Sequence, residues 1–305
     1  MALPSRPDVT LDEALVRELL AEQFPQLKLE HLQFIGEGEG RAYLVDGAFI
    51  FRFPRNERGA EKMRREICLL SAIGADLPIS VPSLELIGEP SDRYPYPFAG
   101  HRRIAGRSGE EVRPEQRHWP AIARQLGDFL SVLHAVPLSI GERCGLLREE
   151  MQEPESLLSS TLQYAPVIRK ELPDLIEDEM EPYLSGTVTV PPPSLPGAFV
   201  CNADIKGEHL IVSEQADAVV GIIDWTDCCL TDRLLDFTGL MIWLGEPFVE
   251  EMLPHYTLQV DEHFLQRVCF YARCFALGNL GQRLTGKSEA PLELLKTQAR
   301  WAFAE

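Results

Sequence analysis

Apolar residues in the first hundred positions follow two different spacings. Leu15, Leu19 and Leu20 lie at helical intervals behind the capping-box pattern Thr10-Leu11-Asp12-Glu13, which predicts a helix over about 11–23. Short apolar runs bounded by turn residues predict strands over 31–35, 41–45, 48–53, 81–88 and 98–104, and a helix over about 60–73 interrupts them. Five strands and one interposed helix make a small lobe of about 100 residues, which is within the usual size of a domain.

From Pro114 onward the apolar spacing is mainly helical, most clearly over 119–135. The exception is a pair of apolar runs, 209–212 and 218–223, which a largely polar turn separates and which therefore predict a β-hairpin. The pattern predicts an α+β protein with a small β-rich N-terminal lobe and a larger, mainly helical C-terminal lobe.

Composition adds a strong acidic balance to this picture. The 305 residues include 29 Lys+Arg and 47 Asp+Glu, for a net charge of −18, and 45% of them are hydrophobic. The hydrophobic share is that of a globular protein. The negative charge argues against nucleic acid and anionic membranes as partners and favours a cationic one.

Compartment and assembly are predicted from the same composition. The first residues lack the apolar stretch of a secretion signal, and the longest uncharged stretch, 183–203, contains four prolines and therefore predicts a loop. The seven cysteines form no CxxC pair, and their number is odd. We expect a cytoplasmic protein, a monomer, with reduced and buried thiols.

Acidic residues cluster around the predicted hairpin. Asp204 precedes it, Asp224 ends it, and Asp227, Asp232 and Asp236 follow. Because the strands of a hairpin fold back on each other, the first two carboxylates can converge. Mg²⁺ binds through one or two carboxylates and keeps its other positions for water and phosphate. The alternative is that these aspartates cap helices and tighten turns.

The stretch FVCNADIKGEHLIV at 199–212, with GIIDWTD at 221–227 and DRLLD at 232–236, resembles the active-site region of the aminoglycoside phosphotransferases. The resemblance is to the 2″-phosphotransferase branch and the related macrolide kinases. It implies the protein-kinase-like two-lobed fold, a catalytic base at Asp204, and metal ligands at His209 and Asp224. It also implies that Asp236 fixes the loop by hydrogen bonds.

The N-terminal half resembles the nucleotide-binding lobe of the same family. Gly36 and Gly38 fall where the family has its nucleotide-covering loop, and Arg52 falls where a basic residue contacts the α- and β-phosphates. Glu66 would be the ion-pair partner of Arg52, and Ile104 would meet the nucleotide base. The implied divisions are an N-terminal nucleotide-binding lobe (1–100), a hinge (101–107) and a C-terminal catalytic and substrate-binding lobe (108–305).

Four positions depart from the family pattern. Asn202 replaces a common His, keeping hydrogen-bonding capacity without a cationic form. Arg52 replaces the usual Lys. Glu37 and Glu39 place negative charge in the Gly-rich loop, where it opposes nucleotide binding unless it points outward. His209 is a softer ligand than Mg²⁺ prefers, so the alternative is that it orients the loop instead of touching the metal.

The sequence therefore predicts a Mg²⁺-dependent phosphotransferase. It would move the terminal phosphate of ATP or GTP to a hydroxyl of a small cationic molecule, most readily an aminoglycoside, with no nucleic-acid or membrane partner. Acidic residues such as Glu246 and Glu250 would attract a polycation, although they equally suit a solvated surface. The alternatives are a kinase of a macrolide or another hydroxylated amine, a nucleotide-binding protein with little transfer activity, and a Zn²⁺- or Mn²⁺-dependent hydrolase.

Overall fold

The computed structural model describes residues 9–38, 40–194 and 197–304. The strands are β1 (Leu32–Glu37), β2 (Gly40–Val45), β3 (Phe49–Pro54), β4 (Leu86–Gly88), β5 (Phe98–Arg102), β6 (Arg107–Ser108), β7 (Phe199–Cys201), β8 (Leu210–Val212), β9 (Val219–Ile222) and β10 (Cys229–Thr231). The helices are α1 (Glu13–Gln23), α2 (Glu57–Ile73), α3 (Trp119–His134), α4 (Leu138–Arg143), α5 (Pro154–Leu162), α6 (Ala165–Glu171), α7 (Glu181–Ser185), α8 (Leu234–Leu244), α9 (Glu246–Met252), α10 (Phe264–Leu284) and α11 (Leu292–Phe303).

The β-rich lobe is an antiparallel sheet with the strand order β1-β2-β3-β5-β4, accompanied by α1 and α2. Asp46 and Gly47 have positive φ angles, 50° and 68°, which fits the tight turn predicted between β2 and β3. Asp12, not Thr10, caps α1, because its side chain accepts a hydrogen bond from the Leu15 N–H at 2.8 Å.

Strand β4 is shorter than predicted. Only its last three residues pair with β5, whereas Ser80 forms an isolated parallel bridge with Gly221 in β9. Pro82 lies between these two pairings and has no N–H to continue a ladder. The predicted run 81–88 therefore crosses from one lobe to the other before it joins the sheet.

Aromatic side chains fill the core of the β-rich lobe. The rings of Phe53 and Phe98 stack with centroids 4.5 Å apart, and Phe51 and Tyr94 are fully buried beside them. Such rings stabilise a core through the large apolar area that each removes from water. They come from β3, β5 and the segment before β5. Their packing makes the sheet a rigid support for side chains on its other face, such as that of Arg52.

The helical lobe is built around α3 and α10, which carry long buried apolar faces. Helix α3 ends one residue before the predicted limit, and β8 and β9 form the predicted hairpin, with β6 added at its edge. The predicted α+β fold with a β-rich and a helical part is confirmed. The boundaries at 100 and 107 stay a prediction. Among the described residues, no helix combines the length and apolarity needed to cross a membrane.

The prediction of reduced thiols is wrong for one pair. Cys68 in α2 and Cys144, directly after α4, form a disulfide with their Cα atoms 5.4 Å apart. The two residues are 76 positions apart, so only the packing of α2 against the helical lobe brings them together. The other cysteines are free and buried; they are Cys201, Cys228, Cys229, Cys269 and Cys274.

Helix α8 supports the segment between β7 and β8 by direct backbone contact. A Cβ atom added to Gly239 would lie 1.7 Å from the carbonyl oxygen of Ile205. Only a residue without a side chain allows this approach. The position of the segment 202–209 above α8 therefore depends on Gly239.

Gly239→Ala should lower the free energy of unfolding by about 1–3 kcal/mol, because the new methyl group must displace backbone. The matched control is Gly278→Ala in α10, where the added Cβ meets nothing within 4 Å. That change should leave stability equal or raise it by up to about 1 kcal/mol. Urea unfolding of both variants checks the difference, and equal stabilities would contradict the role given to Gly239.

Candidate active site

The segment 202–209, which follows β7, is fixed by hydrogen bonds to the buried carboxylate of Asp236. Asp236 in α8 accepts hydrogen bonds from the backbone N–H groups of Asn202 at 3.1 Å and Ala203 at 2.7 Å. Ala203 has a φ of 68°, an uncommon conformation for a residue with a side chain. The two hydrogen bonds satisfy the backbone of this strained turn, as expected for Asp236.

His134 in α3 is a residue of this site that the sequence did not reveal. Its Nε2 lies 3.1 Å from the carboxylate of Asp236, and its Nδ1 lies 2.9 Å from the hydroxyl of Tyr256. The side chains of His134 and Asp236 are both fully buried. His134 precedes Asp236 by 102 positions, and no local spacing connects them.

Asn202 links the two acidic positions that the sequence singled out. Its side-chain N–H donates to the carbonyl of Asp224 at 3.1 Å, and its side-chain oxygen accepts from the backbone N–H of Asp204 at 3.0 Å. The neutral amide thus uses both its donor and its acceptor, which explains how Asn serves at a position where the family commonly has His.

Asp204 and Asp224 converge with His209 at the mouth of the hairpin. The Nδ1 of His209 lies 2.8 Å from the carbonyl oxygen of Asp204, and its Nε2 lies 3.6 Å from the Asp224 carboxylate. Because the carbonyl can only accept, Nδ1 is the donor of this hydrogen bond, and Nε2 is the ring nitrogen turned toward Asp224. Burial raises the pKa of Asp204 above its usual range, and Lys206 and His209 oppose that shift.

The conformation of Asp224 is fixed by its neighbours. Its φ is 57°, and its carboxylate accepts a hydrogen bond from the Thr226 hydroxyl at 2.6 Å. Trp225 is fully buried beside it and donates to the carbonyl of Ile222 at 3.0 Å. Burial would raise the pKa of Asp224, but Arg52 and His209 outweigh it and hold that pKa below its usual value.

Arg52 in β3 pairs with Glu66 in α2 on the opposite wall. The two side chains form a salt bridge, the Glu66 side chain is fully buried, and an Arg52 Nη1 lies 3.6 Å from Asp224. Burial raises the pKa of Glu66, and the facing guanidinium opposes that shift. Among the described residues, the buried Nε of Arg52 has no hydrogen-bond partner. The Oε2 of Glu66 is buried and without a partner in the same way.

The acidic Gly-rich loop carries its own counter-charges. Glu37 pairs with Arg41 at 2.8 Å and with Arg55 at 2.6 Å, so its carboxylate does not stand as an isolated negative charge. Glu39 lies outside the described residues. Gly40 lets β2 approach β3 closely, because a Cβ there would lie 2.8 Å from the Phe53 carbonyl oxygen.

A cleft of about 320 Å³ joins most of the predicted site residues. Its lining includes six of them, Gly36, Gly38, Arg52, Asp204, His209 and Asp224. Glu66 lies behind Arg52. Ile104 does not line this cleft: it packs on Gly221 and borders a second cavity with His101.

Lys206 is a second residue that the sequence reading passed over. Its ammonium lies 3.1 Å from the Asp204 carboxylate and 2.6 Å from that of Glu208. Burial would lower the pKa of Lys206, but the two carboxylates outweigh it and raise that pKa. The signal was present as a lysine two positions after Asp204 inside the quoted motif.

A basic residue of a β-strand, paired with a helix carboxylate and facing two converging aspartates across the cleft between two lobes, defines a kinase-like phosphotransferase. A family model described as the phosphotransferase enzyme family matches residues 31–264, about three quarters of the chain. The chain belongs to this family, and the resemblance stated above is confirmed.

Solved structures with the same fold match nearly the whole chain. Aminoglycoside 2′-phosphotransferase-IIIa, solved with GDP, is 23% identical, with a TM-score of 0.69 over 95% of this chain and 99% of that one. Macrolide 2′-phosphotransferase MphH from Brachybacterium faecium is 19% identical, with a TM-score of 0.60 over 94% and 97%. APH(2″)-IIa, solved with streptomycin and ATP, is 19% identical, with a TM-score of 0.60 over 97% and 100%. At these identities the likeness shows a shared fold.

His101 at the end of the sheet makes stability sensitive to acid. Burial lowers the pKa of His101 from 6.5 to about 4. The unfolded chain therefore binds this proton more readily, and the stabilisation is fully present above about pH 6.5 and is lost as the pH falls toward 4. Over that window His101 should cost about 2–3 kcal/mol of unfolding free energy.

In His101→Gln, which stays neutral and keeps a donor, the decrease in stability between pH 6.5 and 4 should be smaller by that amount. Urea unfolding of wild type and variant at several pH values checks the difference. Parallel stability curves for the two proteins would contradict this assignment.

Proposed function

We propose that this protein is a Mg²⁺-dependent O-phosphotransferase that moves the terminal phosphate of ATP or GTP to a hydroxyl of a small cationic acceptor, an aminoglycoside. The observation that carries the proposal is the convergence of Asp204 and Asp224 opposite the Arg52–Glu66 pair across one cleft. Family membership supports phosphate transfer as the reaction.

The donor set around Asp224 fits Mg²⁺. The Asp224 carboxylate keeps a pKa below its usual value, and the His209 Nε2 lies 3.6 Å from it. Asp224 and His209 would hold the ion, with most of its positions left to water and phosphate oxygens. When bound, Mg²⁺ would neutralise charge on the β- and γ-phosphates.

Asp204 would act as the catalytic base. Its pKa is raised by burial, which makes its carboxylate a better proton acceptor than an exposed aspartate. It would orient the acceptor hydroxyl and take its proton as the phosphoryl group transfers in line. Lys206, 3.1 Å from this carboxylate, would place positive charge beside the transferring group.

Arg52 would bind the phosphates that are not transferred. Its guanidinium is held by Glu66 and lines the cleft, so its positive charge would face phosphate oxygens. Gly36 and Gly38 would cover the phosphates, and Arg41 and Arg55 would offset the charge of Glu37, which lines the same cleft. Ile104 would meet the base from the hinge, at the second cavity.

The acceptor is inferred from charge and from the relatives. Glu208 lines the cleft beside Asp204. Burial raises the pKa of Glu110, and the negative charge of the nearby Glu208 raises it further. Carboxylates at this mouth suit the ammonium groups of an acceptor, and the net charge of −18 would attract a polycation. Related structures contain kanamycin, streptomycin and gentamicin. A cytoplasmic monomer is the form in which we expect the enzyme to work.

Asp204→Asn should lower the rate of phosphate transfer by a factor of about 100 or more, because the amide cannot accept the hydroxyl proton. Its nucleotide dissociation constant should change little, since the Arg52 side of the cleft is intact. Stopped transfer assays and calorimetric titration check the two quantities. The control is Asp178→Asn, an exposed aspartate outside the cleft, which should behave as wild type. Retained transfer in Asp204→Asn would refute the assignment of the base.

Incubation with Mg²⁺, ATP or GTP, and a panel of aminoglycosides and macrolides tests the reaction itself. We expect one aminoglycoside to gain the mass of one phosphoryl group while one equivalent of the nucleoside diphosphate forms. A phosphorylated macrolide would correct the acceptor. Nucleotide binding without transfer to any acceptor would replace the proposal with a binding protein, and turnover that needs Zn²⁺ or Mn²⁺ but no nucleotide would replace it with a hydrolase.

A further inference from the structure

We propose that the disulfide between Cys68 and Cys144 positions the nucleotide site: it fixes α2 against the helical lobe and thereby holds Glu66 on Arg52. The kinetic consequence rests on the function proposed above, whereas the structural consequence does not. Cys68 and Cys144 are positioning residues, because neither lines the cleft.

One end of the disulfide is close to the ion pair of the site. Cys68 follows Glu66 by two positions on α2, so a shift of this helix at Cys68 displaces the Glu66 carboxylate as well. Glu66 has no exposed side-chain surface, and its partner Arg52 also faces Asp224 at 3.6 Å. In kinase-like enzymes the placement of this helix decides whether the basic residue is correctly set for the phosphates.

The Cys144 end of the disulfide lies next to a helix that packs on β7 and β10, and β7 leads into the segment 202–209. Cys144 is 7% exposed and caps α4, its N–H donating to the Ile140 carbonyl at 3.1 Å. Gly141 in α4 packs tightly on Val200 of β7 and Leu230 of β10. The disulfide therefore joins the Glu66 helix covalently to the end of α4, and α4 in turn packs on β7, the strand that directly precedes Asn202.

One noncovalent link that accompanies the disulfide is a partly exposed ion pair. Lys62, one turn before Glu66, pairs with Asp227 at 2.6 Å, but the Asp227 side chain is 45% exposed. Exposed ion pairs contribute little and are screened by salt. Apolar residues of α2, among them Leu69 and Leu70, also pack into the core of the helical lobe, and the disulfide adds a covalent link to that packing.

Opening the link needs a thiol reductant. A small dithiol transfers two electrons and two protons: the S–S bond breaks, Cys68 and Cys144 become thiols, and the dithiol becomes a cyclic disulfide. The reverse reaction uses a small-molecule disulfide as the oxidant and releases two equivalents of its thiol. The enzyme would thus have a tight oxidised form and a looser reduced form.

The first test is structural and needs no acceptor. Alkylation of the purified protein without reductant, followed by peptide mass analysis, should leave Cys68 and Cys144 unlabelled and joined. After reduction, amide hydrogen exchange in α2 should become faster around Glu66 in the nucleotide-free protein. Free thiols at both positions before reduction, or unchanged exchange in α2 after it, would overturn the proposal.

The second test separates positioning from stability. Reduction should weaken nucleotide binding roughly fivefold, a typical size for coupling between sites, and leave the transfer rate at saturating nucleotide less affected. Cys68→Ser/Cys144→Ser should reproduce the reduced form and respond no further to reductant, which controls for the five buried thiols.

In Glu66→Gln, reduction should no longer change nucleotide affinity, because the disulfide acts through that carboxylate. Melting temperatures are recorded alongside to report stability. The melting temperature should fall on reduction in both the wild type and Glu66→Gln. An equal change of affinity with and without the Glu66 carboxylate, or a change of melting temperature alone, would show a structural crosslink and refute positioning.

Discussion

Two backbone N–H groups converge on the buried carboxylate of Asp236, and the geometry of the cleft depends on that contact. Without it, the left-handed turn at Ala203 would bury unsatisfied donors, each of which costs free energy comparable to a lost hydrogen bond. His134 keeps the carboxylate in place from α3, and Gly239 lets the segment rest on α8. The site is therefore set from the interior of the helical lobe, by groups that touch none of the proposed substrates.

Charge is the second constraint, because several carboxylates lie close together in the cleft and repel one another unless cations are near them. Each acidic group there has a cationic neighbour: Arg52 for Glu66 and Asp224, Lys206 for Asp204 and Glu208, and Arg41 and Arg55 for Glu37. These pairs are partly or wholly removed from water, where charges interact more strongly than at the surface. The negative total of the protein thus coexists with a cleft in which four cationic side chains face these five carboxylates, so that most of the local charge is offset.

Much of this arrangement could be predicted from the sequence because the relevant patterns are local. The hairpin with an aspartate at each end, the Gly-rich turn and the Arg52–Glu66 spacing are all written in short segments, and the structure brings them together. His134 and the disulfide could not be predicted, since their partners are separated by 102 and 76 positions and meet only through packing. Ile104 lines a different cavity from the other predicted residues, and its contact with the nucleotide base stays a prediction, because a hinge follows backbone geometry that side-chain patterns do not encode.

Asn202 shows how one substitution can preserve a connection between two distant parts of a site. The side chain of residue 202 connects Asp204 with Asp224, which lies just after β9. This connection requires one donor and one acceptor in fixed directions. A neutral amide meets both requirements at any pH, whereas an imidazole would change its hydrogen-bonding pattern on protonation. The link between the proposed base and the proposed metal ligand is therefore independent of proton uptake at residue 202.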